Sequence, residues 1–306
     1  MKLTLVLMSF LVGGTVLAAQ SSGDIAVQNT EIIKYQKECD KGDAKSCFSL
    51  GLLYGDEKYH GYSKAYDIYQ KSCGGGDSES CNQLGQMYAQ GLGVSEDDPK
   101  AFEFYRKSCF GGSAAGCDNL GAMYLRGEGV EKDAFKAIGY IEKACDESLP
   151  KGCFDVAMMY YYGLGVKQDY FKSLDLFAKA CDGGESLGCG FASDIYYEGL
   201  GVAKNIYKAF EIEKKGCDIY PMDCWIYGDR YRTGVYRQQD SMKAVMLYQR
   251  GCDGRWPAAC LQLAEMYLNG QGIGQSKTEA IKYFGRACDL RLEAGCEYYS
   301  KLNTSN

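Results

Sequence analysis

The chain has 306 residues, with 34 Lys and Arg against 40 Asp and Glu, only four prolines, and sixteen cysteines. A formal charge of −6 with no basic cluster argues against nucleic acid as a partner and against polybasic attachment to anionic lipid, both of which need concentrated Lys and Arg. The length exceeds the usual single hydrophobic core, and without a low-complexity stretch or linker it points to a repeat array rather than two joined domains.

In chain order, the first element is residues 1–18. Lys2 precedes a largely apolar run from Leu3 to Val12, and small residues follow as far as Ala18 and Ala19. This reads as a signal peptide cleaved after Ala18 or Ala19. The competing reading, a membrane anchor, needs about 20 apolar residues, and the run is shorter. The mature chain is therefore expected to have no membrane span and to be secreted or periplasmic.

Residues 24–302 are expected to form a single array of about seven units with terminal capping helices, and 303–306 a short tail. The sixteen cysteines fall into eight couples: Cys39/Cys47, Cys73/Cys81, Cys109/Cys117, Cys145/Cys153, Cys181/Cys189, Cys217/Cys224, Cys252/Cys260 and Cys288/Cys296. Seven couples are eight residues apart and one is seven apart, and their first members recur every 34–36 residues. A fixed period of this size is the mark of a solenoid.

Each unit opens on a block such as Leu84-Gly85-Gln86-Met87-Tyr88, repeated as Leu120-Gly121-Ala122-Met123-Tyr124 and Leu263-Ala264-Glu265-Met266-Tyr267. The block predicts a helix A. It ends in a glycine pair, Gly91 and Gly93, Gly127 and Gly129, Gly163 and Gly165, Gly199 and Gly201, or Gly270 and Gly272, where glycine supplies the left-handed residue that stops a helix. A helix B follows and runs to the next cysteine, with Ala101 and Tyr105 four residues apart on one face. Tyr54, Tyr88, Tyr124, Tyr160, Tyr196, Tyr231 and Tyr267 share one repeat position and are expected to pack between helices. No cofactor is expected.

The first cysteine of each couple ends a helix B and the second opens the next helix A. A turn this short brings the two within bonding reach. Cysteines one repeat apart would sit on helices roughly 8–10 Å apart, beyond the disulfide limit of about 7 Å between Cα atoms. All eight couples are therefore expected to bond internally. With one histidine, His60, and no Cys-x-x-Cys motif, no metal site is expected.

The cysteine couples, the Leu-Gly-x-Met-Tyr block, the Gly-x-Gly-Val turn and the Lys-Ala-x-x-x-Tyr helix together resemble Sel1-like repeats. With a cysteine couple in every unit, the chain resembles the Helicobacter cysteine-rich protein family from about Cys39 to Cys296. The resemblance implies an all-α, right-handed α-hairpin solenoid related to the tetratricopeptide superhelix, with one disulfide per repeat. It also implies penicillin binding with weak β-lactamase activity, because some members of that family are described so. The residues supply no matching motif. The Ser-x-x-Lys tetrapeptide Ser148-Leu149-Pro150-Lys151 lies in an inter-repeat turn, contains a proline, and lacks Ser-Asp-Asn and Lys-Thr-Gly partners. No catalytic residue can be assigned.

Superhelical arrays bind extended partners on their inner, concave surface. On helix A the core side carries the second cysteine and positions three, four, six and seven after it. Positions one, five and nine form the opposite stripe. This stripe runs from Asn82, Gln86 and Gln90 through Asp118, Ala122 and Arg126 to Phe154, Met158 and Tyr162. Beyond these come Asp194 and Glu198, and then Trp225 and Asp229. Phe154, Met158 and Tyr162 would either anchor a ligand or pack against the preceding helix B. Asp194, Glu198 and Asp229 would face either a cationic group or solvent.

The expected function is a monomeric scaffold for a protein, a peptide or a cell-wall-type ligand such as a peptidoglycan fragment, the partner being extracellular or periplasmic and of bacterial or host origin. A β-lactam ligand is the alternative implied by the resemblance alone.

Overall fold

The structure is a computed structural model that describes residues 22–55 and 61–304. The expected signal peptide and His60 lie outside the described residues. Among the described residues there are sixteen α-helices and no strand. No helix among them is long and apolar enough to cross a membrane. The chain divides into two compact units, Met1–Gly76 and Asp77–Asn306.

The first unit holds α1 (Ser22–Asp40), α2 (Ala44–Gly55) and α3 (Tyr62–Gly74). Leu50 is its buried centre, beside the Cys39–Cys47 disulfide. Gly51 is required because the Tyr69 ring lies flat on α2, where an added Cβ would stand 2.3 Å from it. This is the small-residue and aromatic contact that the helix A and helix B patterns anticipated.

The second unit repeats the same hairpin. Its A helices are α4 (Ser78–Gln90), α6 (Ala114–Arg126), α8 (Pro150–Tyr162), α10 (Ser186–Glu198), α12 (Pro221–Thr233), α14 (Pro257–Asn269) and α16 (Glu293–Asn303). Its B helices are α5 (Asp98–Phe110), α7 (Ala134–Asp146), α9 (Tyr170–Asp182), α11 (Ile206–Ile219), α13 (Ser241–Asp253) and α15 (Lys277–Asp289). Each A helix through α14 ends on a left-handed glycine such as Gly91 at φ 66° or Gly199 at φ 77°.

The chain then closes the turn with one recurring bond, Asp97 N–H to the Tyr88 carbonyl at 3.0 Å, repeated by Asp133 to Tyr124 and Asp169 to Tyr160. The same aspartate caps helix B, its carboxylate accepting from Lys100 N–H at 3.0 Å. That lysine in turn extends over the tyrosine ring of its own repeat. The contact recurs as Lys100 over Tyr88 at 5.1 Å, Lys136 over Tyr124 at 5.5 Å and Lys243 over Tyr231 at 5.1 Å. The periodic tyrosines are thus packing residues, as expected.

At the junctions from B to A, the bonded couples of the second unit hold their Cα atoms 4.3–4.8 Å apart. Each of these junctions turns on one left-handed residue: Gly112, Ser148, Gly184, Arg255 or Arg291. Cys73 and Cys81 are also disulfide-bonded.

The expectation that the second cysteine of a couple opens helix A is corrected by three residues. Cys117 stands fourth in α6, Cys153 fourth in α8 and Cys260 fourth in α14. The helix starts earlier because an extended N-cap residue, Ser113, Leu149 or Trp256, follows the left-handed turn directly. One helical turn inside, the sulfurs face the core. Cys117 and Cys260 are fully buried, and Cys153 nearly so. Their bonds run to Cys109, Cys252 and Cys145, respectively. Each of the three sulfurs also lies 3.5–3.7 Å from the backbone carbonyl of its own partner. That approach is packing rather than a hydrogen bond, because a disulfide sulfur has no proton to donate. Cys117, Cys153 and Cys260 are therefore core residues with no surface for a ligand.

The junction between α11 and α12 differs, and the expectation of a Cys217–Cys224 bond is corrected there. Both cysteines are buried free thiols. α11 is one residue longer than the other B helices of its unit, Tyr220 in extended conformation serves both as its C-cap and as the N-cap of α12, and no left-handed residue intervenes. The seven-residue spacing thus produces a different turn. The hydrogen bond with Cys224, together with burial, pushes the Cys217 thiol far above its ordinary range. A further correction concerns Pro150: it opens α8 at the first helical turn, where its missing N–H costs nothing.

Candidate functional site

The stripe residues are carried by α8, α10 and α12. Phe154 is half-buried, its ring 5.6 Å from Phe177 and 5.7 Å from Phe191. Met158 packs into the same cluster around Ala157, Phe177 and Ile195. Tyr162, by contrast, is 52% exposed and meets Tyr161 edge-on at 4.9 Å. Packing therefore takes up most of Phe154 and Met158 and leaves Tyr162 as the exposed end of an aromatic cluster.

Position one of the stripe is not a lining in the first repeats of this unit, which corrects the expectation for Asn82 and Asp118. Each is 3% exposed. Asn119 donates to Asn82 at 2.9 Å, and Lys151 donates to Asp118 at 2.5 Å and to Asp155 at 2.6 Å. The next A helix covers this position, and its polar groups supply the partners. Lys151, the lysine of the Ser-x-x-Lys tetrapeptide, is thus engaged with two carboxylates.

One oxygen of Asp118 remains buried without a hydrogen bond. Desolvation raises the Asp118 pKa more than Lys151 lowers it. A carboxyl raised in the folded state contributes stability in acid that is lost as pH rises through the folded value. Asp118→Asn is therefore expected to raise stability at neutral pH by about 1 kcal/mol, with the gain vanishing below the ordinary carboxylate range. Urea unfolding across pH tests this, and a variant equally destabilised at every pH would refute it.

Further along, Asp194 and Glu198, one turn apart on α10, line a cleft of about 300 Å³. Tyr161 and Leu200 form its apolar side, and Arg230, Tyr236 and Arg237 the other. Arg237 is 2% exposed at its side chain and pairs with Glu213, which is fully buried, at 2.8 Å. Its guanidinium also donates to Asp194 at 2.5 Å, to Ser193 at 3.2 Å and to the Tyr236 carbonyl at 2.9 Å. Burial opposes the charge, but Glu213 and Asp194 outweigh it and hold the Arg237 pKa above its ordinary value. Arg230 reaches the same Asp194 oxygen at 3.4 Å, and its guanidinium lies over Tyr227 and Tyr236. Asp194 is thus tied into a network rather than left to solvent.

Trp225 is half-buried against the next core cluster. Asp229 is paired with Arg232 at 2.5 Å, and the Tyr248 hydroxyl lies 3.5 Å from the same oxygen. Neither lines the cleft. Among the described residues there is no group of side chains that could hold a metal ion.

Sequence reading missed Ser193, Glu213, Arg230, Tyr236 and Arg237, although each breaks the repeat. Ser193 stands where Gly85, Gly121 and Gly228 stand, and Glu213 where Tyr105, Ile141 and Tyr248 stand. Arg230 replaces the methionine of Met87, Met123 and Met266. Tyr236 takes the place of Gly93, Gly129 and Gly272, and keeps their left-handed backbone at φ 61°. Arg237 replaces Val94, Val130 and Val166. Aligning the repeats column by column would have exposed all five.

The Sel1 repeat model matches residues 44–77, 78–112, 114–149, 150–185, 187–217, 221–254 and 257–292. No curated relative matches the sequence. Among solved structures, c5321 of uropathogenic Escherichia coli, a protective antigen with an SLR fold, is 20% identical over 89% of this chain and 67% of its own, with a TM-score of 0.56. A Sel1 repeat protein from Oxalobacter formigenes is 26% identical over 72% of this chain and 94% of its own, with a TM-score of 0.53. Cysteine-rich protein B of Helicobacter pylori is 29% identical over 43% of this chain and 96% of its own, with a TM-score of 0.30.

Proposed function

The chain belongs to the Sel1-repeat family, and on that premise we propose that it is a disulfide-stapled scaffold outside the cytoplasm that binds an extended peptide or protein segment along the stripe of its A helices. The observation that carries this reading is Tyr162, a large exposed aromatic at the edge of the cluster that walls the Asp194 and Glu198 cleft. Fourteen disulfide-bonded cysteines support an oxidising compartment, secreted or periplasmic. An aromatic edge beside carboxylates favours a segment that alternates apolar and basic side chains.

Fluorescence polarisation with labelled extended peptides tests the reading. Peptides pairing an aromatic with lysine or arginine are expected to bind more tightly than acidic ones of equal length, and Tyr162→Ala to weaken them about tenfold, or about 1.4 kcal/mol. Equal binding of acidic peptides, or a Tyr162→Ala variant that binds as the parent does, would overturn it.

A further inference from the structure

The cleft between α10 and α12 is built at a cost the rest of the array avoids. Tyr236 holds a bulky side chain in left-handed conformation, which glycine adopts freely and tyrosine does not. Glu213 and Arg237 bring two charges into a core where the other repeats place apolar side chains, and the second Glu213 oxygen has no hydrogen bond. Strain and buried charge of this kind survive where function requires them.

The groups left open at the surface of this network define the ligand. Asp194 accepts both arginines on one oxygen, Oδ1, leaving Oδ2 free. Glu198 lines the cleft with no hydrogen bond or ion pair. Arg237 has spent its donors on four partners, whereas Arg230 makes one bond, at 3.4 Å, and keeps the remainder of its donors. Open acceptors and an open guanidinium therefore stand side by side. A purely cationic ligand would meet Arg230 and Arg237, and a purely anionic one Asp194 and Glu198. A ligand with both charges on neighbouring atoms satisfies both walls.

We propose that this cleft binds a zwitterionic α-amino-acid head group. The ammonium lies between Glu198 and Asp194 Oδ2, the carboxylate on Arg230, and the side chain between Tyr161, Leu200 and Tyr236. The proposal deepens the scaffold reading by giving one subsite a ligand chemistry, and rests on that reading only for the location of the subsite. The head group can belong to a free amino acid or be carried by a longer molecule.

Calorimetric titration of the oxidised full chain tests it with free phenylalanine and glycine, and with γ-glutamylglycine, which carries the same head on a longer chain. Phenylalanine amide and N-acetylphenylalanine each remove one charge and are expected to bind at least about tenfold more weakly than phenylalanine. Tighter binding of γ-glutamylglycine than of both free amino acids assigns the chain-borne source; the reverse order assigns the free one. Glu198→Gln alters an exposed side chain, and Arg230→Met restores the residue of the other repeats. Both are expected to fold with an unchanged thermal midpoint and to lose at least about tenfold in affinity. The proposal fails if no zwitterion of the panel binds at millimolar concentration, if the amide and the N-acetyl form bind as phenylalanine does, or if Arg230→Met binds as the parent does. A failed titration leaves the peptide test of Tyr162 standing, and loss of peptide binding leaves the amino-acid titration standing.

Discussion

Arg237→Val is expected to lower the stability of the chain by about 3–5 kcal/mol, although valine is the residue that several other repeats place there. The reason is Glu213. With Arg237 gone, a carboxylate that is fully buried retains only Ser193 as a hydrogen-bond donor, at 3.0 Å, and carries its charge into an apolar environment. The paired change Glu213→Leu with Arg237→Val removes both charges together. It is expected to recover the parent stability or exceed it by about 1–4 kcal/mol, because well-packed apolar residues commonly match or improve on a buried ion pair. Leucine rather than tyrosine suits position 213, since Ser193 occupies the place where glycine admits an aromatic ring in other repeats. Chemical denaturation of the two variants and of Glu213→Leu alone closes the cycle. A double variant as unstable as Arg237→Val would show that the network is needed for folding itself.

The disulfides give the second large effect, and here the couples should part. Cys181→Ala with Cys189→Ala removes a bonded couple whose short loop is worth about 2.5 kcal/mol on the chain-entropy model. The loss is expected in oxidising buffer and to disappear once the parent is reduced as well. Cys217→Ala with Cys224→Ala removes two buried thiols and no bond. Its cost, about 1–2 kcal/mol for lost packing, is expected to be the same with and without reductant. Denaturant unfolding of both variants in the two buffers decides it. A reductant-dependent loss at Cys217 and Cys224 would mean that this couple bonds like the others.

Much of the fold could be read before any coordinates because its determinants are local and repeated. The period of 34–36 residues, the left-handed glycines, the cysteine spacing and the Ala/Tyr pairs of helix B each specify a turn or a contact within one unit, and seven copies make the pattern plain. The start of helix A was less legible. Cys117, Cys153 and Cys260 mark the couple in the sequence, whereas the helix begins at the N-cap that the left-handed turn leaves extended. Phe154, Met158 and Tyr162 were correctly placed on one helix face, yet their fates diverged. Phe177 and Phe191 reach across to the first two and stop short of the third. Asp194 and Glu198 were found by the same face argument, whereas Asp229 was drawn away by Arg232, three residues along its own helix.

The sequence by itself determined the hairpin, its repetition and the position of the cysteines that staple it, because these follow from spacing along a single chain. Only the tertiary structure decided which groups answer one another across repeats. Glu213 on α11, Arg237 in the loop after α12 and Asp194 on α10 are separated by 19 to 43 residues, and a lone charge in any one unit looks like an exposed residue until the others are seen beside it. Burial turns those charges into a network, and burial is a property of the packed helices rather than of any one of them.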